Sequence, residues 1–396
     1  MQNTEQTYFL KILSDYVHGR KTVLGDDVQM EYVQAIAKSQ QLETLFFHQC
    51  ADGFTRQEEK EMARKKISAA LYAYVRRDAC VEEIKKAFNE ENIQFSLVKG
   101  YEIQKLFQPS YVRTMSDTDI IIHGEDREKS HEILTRIGFV CSHDIGHEWH
   151  YTKGSVFMEV HESMVHEHEG NEKNVQYFNN LWNHGSRETD YHKLDWNFHF
   201  CYLIQHISGH FVMTGIGFRQ FLDLVVVIQN IELDWQIIQR ELTSLGLWEF
   251  ALTCLAFCQR WFDVTLPVAG KAIDDDLYEA STQKLFADGV FGRQNKENKE
   301  LASTLAESHY AGKSVRMSKF SRKWKQLFPA YGVLKEVPCC AFLEGRPYLL
   351  PVAWIWRFIY KVFVEKRTKY ALEVLQASAD DGQVKKRMDY LKQWGL

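Results

Sequence analysis

Apolar residues recur every three or four positions between residues 1 and 90, which is the spacing of amphipathic helices. The pattern predicts helices over residues 8–18 and 29–51. Thr55-Arg56-Gln57-Glu58 resembles a capping box and predicts a long helix from there to about residue 89. We expect this region either to support the rest of the protein by packing or to dock a substrate or partner.

Strand-like runs alternate with short helical patterns from about residue 93. The predicted order is strand, helix, strand, helix and then three strands, with Lys153-Gly154 as the turn between the last two. The strands are expected at 93–98, 117–122, 138–141, 148–151 and 156–161, and the helices at 101–108 and 125–137. This order predicts a small mixed β-sheet with helices on one side.

The pattern is helical from about residue 170 to the end. Helices are expected at 197–210, 217–231, 235–245, 248–262, 275–287, 351–364 and 369–375, with a polar surface loop at 289–299 and a charged, amphipathic tail at 380–396. The sequence therefore predicts an α+β protein with three regions. These are a helical region over 1–90, an α/β core over 91–165 and a helical carboxy-terminal domain over 166–396.

The composition is that of a globular protein, with 45% hydrophobic and 26% charged residues. The net charge of −5 and the pI of about 6.4 argue against general DNA binding, which needs a basic surface. Residues 1–5 lack the basic start of a secretory signal, and eight cysteines without a C-x-x-C pair suit a reducing compartment. We expect a cytoplasmic protein.

The longest apolar run, residues 348–356, is too short to cross a bilayer, which takes roughly 18 residues or more. It contains Pro351 and is followed by Arg357. A buried helix start is the favoured interpretation. An in-plane membrane helix is the alternative, because aromatic and basic residues are mixed over residues 354–366.

Histidines provide candidate metal ligands. His206 and His210 have the i,i+4 spacing that could hold a metal on one helix face, but the Glu of the metalloprotease motif does not follow His206. Packing beside a cleft is the favoured interpretation for both, and for His161, His166 and His168 it is favoured over a zinc site.

The strongest chemical signal is Asp117-Thr118-Asp119 at the start of a predicted strand. Side chains alternate along a strand, so the two carboxylates are expected on one face, where each raises the pKa of the other unless a cation offsets the charge. Mg²⁺ takes oxygen ligands and is usually held by one or two carboxylates and substrate phosphates. The alternative for an isolated Asp-x-Asp is a solvated turn.

The surrounding residues reproduce a longer motif. Lys99-Gly100, a short helix, Arg113 and then Asp117-x-Asp119 resemble the core of the nucleotidyltransferase superfamily, and more narrowly an uncharacterised bacterial nucleotidyltransferase family. That family carries a third acid before an apolar residue and a His, which Glu159-Val160-His161 matches.

A later helix of the same family reads close to Gly-x-Gly-x-Arg-Gln-x-x-Asp. Gly215, Gly217, Arg219, Gln220 and Asp223 stand at its places, and the resemblance covers roughly residues 60–360. Many active members of the superfamily have Gly-Ser where this chain has Gly100-Tyr101, so a phosphate-binding hydroxyl is missing.

The resemblance implies an α+β nucleotidyltransferase core that uses a nucleoside triphosphate and a two-metal Mg²⁺ site. Asp117, Asp119 and Glu159 would be the catalytic and metal-binding residues, with Glu159 completing the second site or drawing a proton from the acceptor. The expected nucleotide-binding residues are Lys99, Gly100, Arg113 and Arg219. Lys99 and Arg113 could instead orient the aspartates, and Arg219 and Asp223 could form an internal ion pair.

Three other interpretations stay open. One is a degenerate nucleotide-binding module, favoured by the missing serine. Another is a toxin–antitoxin or defence component that modifies protein or RNA, and the third is a helical protein whose acidic pair is incidental. The sequence does not reveal the acceptor, for which a sugar, an antibiotic, a protein hydroxyl and an RNA end are all suitable.

Overall fold

The computed structural model describes residues 3–23, 25, 28–144, 148–166, 169–186, 191–290, 305–306, 308–310, 315–335, 337–364 and 381–396. The predicted helix at 369–375 and residues 291–299 of the predicted loop lie outside these ranges. Two compact units divide the chain. The first comprises Met1–Phe211, Gly215–Arg293 and Lys392–Leu396, and the second comprises Val212–Thr214 and Gln294–Leu391. The predicted boundaries near residues 90 and 165 stay predictions.

The first unit begins with four helices. They are α1 (Thr4–Val17), α2 (Met30–Ser39), α3 (Glu43–Cys50) and α4 (Gln57–Glu90). The single helix predicted over 29–51 is therefore wrong, because Gln41 adopts a left-handed φ of 54° and breaks it. The predicted capping box is also displaced by one residue, since the N–H of Arg56 donates to the Glu59 carboxylate at 3.3 Å.

The α/β segment has the predicted order. Its elements are β1 (Phe95–Val98), α5 (Gly100–Gln104), β2 (Asp119–Ile122), α6 (Arg127–Arg136), β3 (Val140–Asp144), β4 (Glu148–Lys153) and β5 (Val156–His161). They form one sheet in the order β1-β2-β5-β4-β3, in which β2 and β5 are parallel and the other neighbours are antiparallel. A small mixed sheet flanked by helices confirms the predicted α+β class.

The two faces of this sheet have different environments. Ile120, Ile122 and Val160 point into a core that they share with α4 residues such as Ile84 and with α6. Because strand side chains alternate, Asp119, Ile121, Glu159 and His161 project from the opposite face. The polar residues of β2 and β5 are thus gathered on the side away from α4.

Further helices follow the sheet along the chain. They are α7 (Glu172–Asn179), α8 (Trp196–Met213), α9 (Phe218–Asn230), α10 (Trp235–Ser244), α11 (Trp248–Phe262) and α12 (Asp275–Asp288). A two-stranded ribbon, β6 (Gly185–Ser186) and β7 (Lys193–Leu194), precedes α8. Cys254 and Cys258 are fully buried on α11, and the eight cysteines of the chain are free thiols.

The second unit contains α13 (Val315–Leu327), α14 (Tyr331–Lys335), α15 (Leu350–Phe363) and most of α16 (Asp381–Gln393). The expectation of a buried helix start near residue 350 is wrong, since Ala353 is buried whereas Val352, Ile355 and Trp356 are exposed. Across the described ranges, no helix combines the length and the hydropathy needed to traverse a bilayer.

Candidate active site

Asp119 and Glu159 are neighbours on two parallel strands. They are partners in the β2–β5 register, and the Glu159 N–H donates to the Thr118 carbonyl oxygen at 3.0 Å. On the next strand His150 is the partner of Glu159. Strand pairing therefore brings residues from three separate segments of the chain to one level of the sheet.

Lys99 connects β1 to this acidic pair. Its Nζ lies 2.8 Å from Asp119 Oδ1, and its N–H donates to His199 Nε2 at 3.2 Å. The Lys99 backbone has φ 52° and ψ −122°, which is a costly conformation for a residue with a side chain. The two hydrogen bonds and the start of α5 hold the residue in this conformation.

Gly100 allows a close approach by the Arg113 guanidinium. A Cβ at position 100 would lie 2.9 Å from Arg113 Nη1 and 3.2 Å from Met115 Sδ. Arg113 Nη1 donates to the Gly100 carbonyl oxygen at 3.3 Å. A side chain at position 100 would therefore force Arg113 and Met115 to shift.

Arg113 itself is buried and paired. Its Nε and Nη2 donate to the two carboxylate oxygens of Asp223, each at 2.7 Å. Asp223 on α9 therefore pairs with Arg113. The suggested ion pair between Arg219 and Asp223 is not the one that is hydrogen-bonded. This geometry favours positioning of the loop before β2 as the role of Arg113.

Arg219 lies on α9, close to the Arg113–Asp223 pair. Its Nη1 donates to Gln41 Oε1 and, at 3.4 Å, to the Thr114 carbonyl oxygen. Its Nε has no hydrogen-bond partner among the residues that are described. Burial, and then the neighbouring Arg113 charge, lower the pKa of Arg219 to about 10, so the side chain stays cationic at neutral pH.

A cavity of about 230 Å³ joins these groups. The acidic residues and Lys99 come from the sheet side, and the opposite wall is contributed by α8 and α9. Its lining residues are Lys99, Gly100, Ile103, Arg113, Met115, Ser116, Asp117, Asp119, Glu159, Leu203, His206, Ile207, His210, Arg219, Gln220, Asp223 and Val290. The seven residues predicted from the sequence as site residues all line this one cavity.

The two aspartates of the motif differ in their environment. Asp117 precedes β2, and burial together with the charges of Asp119 and Glu159 raises its pKa. Burial would also raise the pKa of Asp119, but Lys99 and His161 hold it well below its usual range. Asp119 is thus firmly ionised, whereas burial and the two neighbouring carboxylates outweigh the Lys99 charge at Asp117.

A second group of residues was not predicted as part of the site. Glu148 and His150 alternate on β4 with the core residues Trp149 and Tyr151, so they project on the same side as Glu159. Glu148 Oε1 lies 2.5 Å from His150 Nε2, and Glu148 Oε2 lies 3.6 Å from His161 Nδ1. The sequence signal that could have predicted them is the alternation of Glu148 and His150 with the aromatic core residues of the same strand.

Three groups of side chains could each hold a metal ion, because the ligand atoms within each group lie within 4.8 Å of one another. They are Asp119 with Glu159 and His161, Glu148 with His150 and Glu159, and Glu148 with His161 and His166. Within the described ranges, Asp117 belongs to none of these groups. His168 lies outside those ranges.

The residues present fit a divalent cation. His161 is buried, and its Nε2 has no hydrogen-bond partner in the described part of the chain. Burial would lower the pKa of His161, but the nearby carboxylates of Asp119 and Glu159 raise it to about 9. The carboxylates therefore create a local demand for positive charge, which a metal ion would satisfy.

The residue after Gly100 does not supply a hydroxyl to the cavity. Tyr101 is buried in the core beneath the sheet, and its hydroxyl donates to Asp78 Oδ1 on α4 at 3.0 Å. Tyr101 therefore does not supply the phosphate-binding hydroxyl that a serine at this position would supply.

His206 and His210 also line the cavity, and their rings lie 4.5 Å apart. Burial lowers the pKa of both, so the two imidazoles are neutral at pH 7. The interpretation that they pack beside the cleft agrees with this position.

Comparison with known proteins identifies a family. A family model described as "Uncharacterised nucleotidyltransferase" matches residues 26–263, more than half of the chain and a range that contains every residue of the cavity up to Asp223. Comparisons with curated proteins and with solved structures gave no match. The family match supports nucleotidyl transfer as the general chemistry, with a nucleotide as substrate.

Proposed function

The chain belongs to a family of uncharacterised nucleotidyltransferases, and we propose from this premise that it moves a nucleoside monophosphate from a nucleoside triphosphate to an acceptor hydroxyl. The observation that carries the proposal is the cavity in which Asp119 and Glu159 lie side by side on neighbouring strands with Lys99 and Arg219 in the same lining. Carboxylates that can hold a cation and fixed cations that can bind an anion are the two requirements of a metal–triphosphate site.

The reaction breaks one phosphorus–oxygen bond and forms another. The acceptor hydroxyl oxygen attacks the α-phosphorus, the bond to the bridging oxygen of the β-phosphate breaks, and pyrophosphate leaves. The hydroxyl proton passes to Glu159 or to water. When bound, Mg²⁺ ions would neutralise phosphate charge and stabilise the attacking and leaving oxygens.

The residues of the chain bind and orient the reactants. Asp117 and Asp119 would hold the cations, and the Lys99 ammonium, which is 2.8 Å from Asp119, keeps that carboxylate ionised and would offset triphosphate charge. Arg219 provides a cavity-lining guanidinium for the phosphates. Arg113 acts through Asp223 and Gly100 by fixing the loop that carries Asp117.

Two experiments test this function. A thermal-shift panel of the four nucleoside triphosphates with and without Mg²⁺ identifies the nucleotide, since a ligand at 100 times its Kd stabilises the fold by about 2.7 kcal/mol. Incubation with the α-labelled nucleotide, Mg²⁺ and sugars, proteins or RNA should then move label to an acceptor and release pyrophosphate.

The variants Asp117→Asn and Asp119→Asn serve as blanks, and Asp276→Asn, an exposed aspartate on α12, is the matched control. A degenerate nucleotide-binding module is the second candidate, because Tyr101 places its hydroxyl on Asp78 and not in the cavity. Tight binding of Mg²⁺ and triphosphate without labelled product would favour that candidate. Absence of nucleotide binding would contradict both.

A further inference from the structure

His161 Nε2 occupies an unusual position between two carboxylates. It lies 3.4 Å from Asp119 Oδ1 and 3.7 Å from Glu159 Oε2. Both distances exceed the usual hydrogen-bond range of roughly 2.7–3.2 Å, and the atom is buried without a hydrogen-bond partner among the described residues. A buried nitrogen with no partner costs free energy, so this arrangement needs an explanation.

The same distances suit three ligands of one metal ion. With metal–ligand bonds of about 2.1 Å, adjacent ligand atoms in a tetrahedral set are about 3.4 Å apart. The ligand atoms of Asp119, Glu159 and His161 all lie within 4.8 Å of one another. The spacing is longer than a hydrogen bond and matches the edges of a coordination polyhedron.

The other ring nitrogen of His161 has the neighbour that a metal-binding histidine usually has. Its Nδ1 lies 3.6 Å from Glu148 Oε2, and Glu148 is fixed by His150, 2.5 Å from its other oxygen. A carboxylate beside the second nitrogen orients the ring and increases its basicity toward the metal. Glu148 is therefore a positioning residue for His161.

We propose that Asp119, Glu159 and His161 form a mixed nitrogen and oxygen site for a divalent transition-metal ion of the Mn²⁺ or Zn²⁺ class. Mg²⁺ prefers oxygen ligands, whereas imidazole suits transition metals. The assignment rests on the proposed function in one respect, since it makes this site the second cation position beside a Mg²⁺–triphosphate held by Asp117 and Asp119. All three ligands come from the protein chain itself.

The test uses MnCl₂ and the full chain, stripped of metals and free of nucleotide. Mn²⁺ affinity is measured by electron paramagnetic resonance, and directly bound nitrogen is detected by the ¹⁴N modulation in a pulsed experiment. The parent should bind Mn²⁺ with ¹⁴N coupling. His161→Gln should lose the coupling and bind at least tenfold more weakly, and Glu148→Gln should keep the coupling with roughly tenfold weaker binding.

His131→Gln is the matched control, because His131 is exposed on α6 and contacts the Tyr151 hydroxyl. It should retain the parent affinity and coupling. Absence of ¹⁴N coupling in the parent, or its persistence in His161→Gln, would overturn the proposal. If His161→Gln does not fold, His150→Gln, His166→Gln and the His206→Gln/His210→Gln double variant decide. Coupling retained in all three supports His161, and coupling lost in any of them overturns it.

The outcome is independent of turnover. A parent without ¹⁴N coupling leaves the label-transfer test of the proposed function standing, because Mg²⁺ with Asp117 and Asp119 could still support it. A failed label transfer likewise leaves the Mn²⁺ result standing as a metal site.

Discussion

Arg113 and Asp223, which are 110 residues apart in the sequence, form a buried ion pair with two hydrogen bonds of 2.7 Å. The exposed fractions of the two side chains are 6% and 9%. The pair joins the loop before β2 to α9, so two walls of the cavity are fixed to each other. Neither residue needs to be catalytic for the pair to matter to the site.

Asp223→Asn should therefore destabilise the protein strongly. Removing one partner of a buried pair leaves an uncompensated charge, which costs about 3–5 kcal/mol. Urea denaturation measures the change, with Asp276→Asn as the surface control. The Arg113→Met/Asp223→Leu double variant should be less destabilised than Asp223→Asn, and a loss below about 1 kcal/mol for Asp223→Asn would show that the pair is not buried as described.

The two aspartates of the motif should respond in opposite ways to removal of their charge. Asp117→Asn removes a carboxylate whose pKa is raised by burial and by Asp119 and Glu159, so metal-free stability should stay equal or rise slightly. Asp119→Asn leaves Lys99 and His161 without their carboxylate and should cost about 1–3 kcal/mol. Urea unfolding in EDTA compares the two variants, and equal effects would contradict the assigned environments.

Glu159→Gln separates binding from turnover. The amide keeps the size of the side chain but neither accepts a proton nor offers a charged ligand. We expect triphosphate affinity within a few-fold of the parent and a fall in the transfer rate of roughly 100-fold or more, as for a group that acts in the transition state. Thermal shift reports the affinity and single-turnover label transfer reports the rate. An unchanged rate would remove Glu159 from the reaction.

Tyr101→Phe tests whether the residue after Gly100 contributes to the site. The Tyr101 hydroxyl bonds Asp78 in the core, so its removal should lower the free energy of unfolding by about 1–2 kcal/mol and leave triphosphate affinity unchanged. Urea denaturation and thermal shift measure the two effects. Weaker nucleotide binding with intact stability would instead place the hydroxyl in the cavity.

The sequence was informative where the signal is local. Strand-like runs placed Asp119 and Glu159 on strands, and the resemblance to the family implied that those strands lie together, which the β2–β5 register confirms. Pairing of Arg113 with Asp223 could not be read from spacing, because it depends on how α9 packs against the motif loop.

Other features were hidden for different physical reasons. Gln41 breaks the predicted 29–51 helix with a positive φ that no glycine marks. Glu148 and His150 belong to an ordinary hairpin strand, and their partners become visible only when β4 pairs with β5. The apolar run near residue 350 was expected to be buried, but apolar content alone does not determine which helix faces are covered.

His199 provides a test by pH. The residue is 2% exposed, and its ring stacks on Trp196 at 5.0 Å and accepts the Lys99 N–H through Nε2. An accepting Nε2 must be unprotonated, and burial, opposed by Glu102, lowers the pKa of His199 to about 4. In the unfolded chain the pKa is about 6.5.

Stability should fall as the pH is lowered, because the pKa of His199 is lower in the folded state than in the unfolded chain. Well above pH 6.5 neither state binds the proton, so the favourable contribution of neutral His199 is complete. As the pH falls toward 4, the unfolded state binds a proton that the folded state refuses, and stability is lost. For this pKa difference the loss between pH 7.5 and 5.5 is about 1.3 kcal/mol.

His199→Gln should remove this dependence, because the Gln oxygen can accept the Lys99 N–H without titrating. At pH 7.5 the variant should be less stable by about 1 kcal/mol through the lost stacking, and its disadvantage should vanish near pH 5.5. Urea unfolding of both proteins between pH 7.5 and 5.5 measures the difference, in which the titrations of His206 and His210 cancel. Parallel curves would show that His199 has the same pKa in the folded and unfolded states and so does not need to be neutral to fold. The Lys99 N–H would then need another acceptor to hold its left-handed φ beside Asp119.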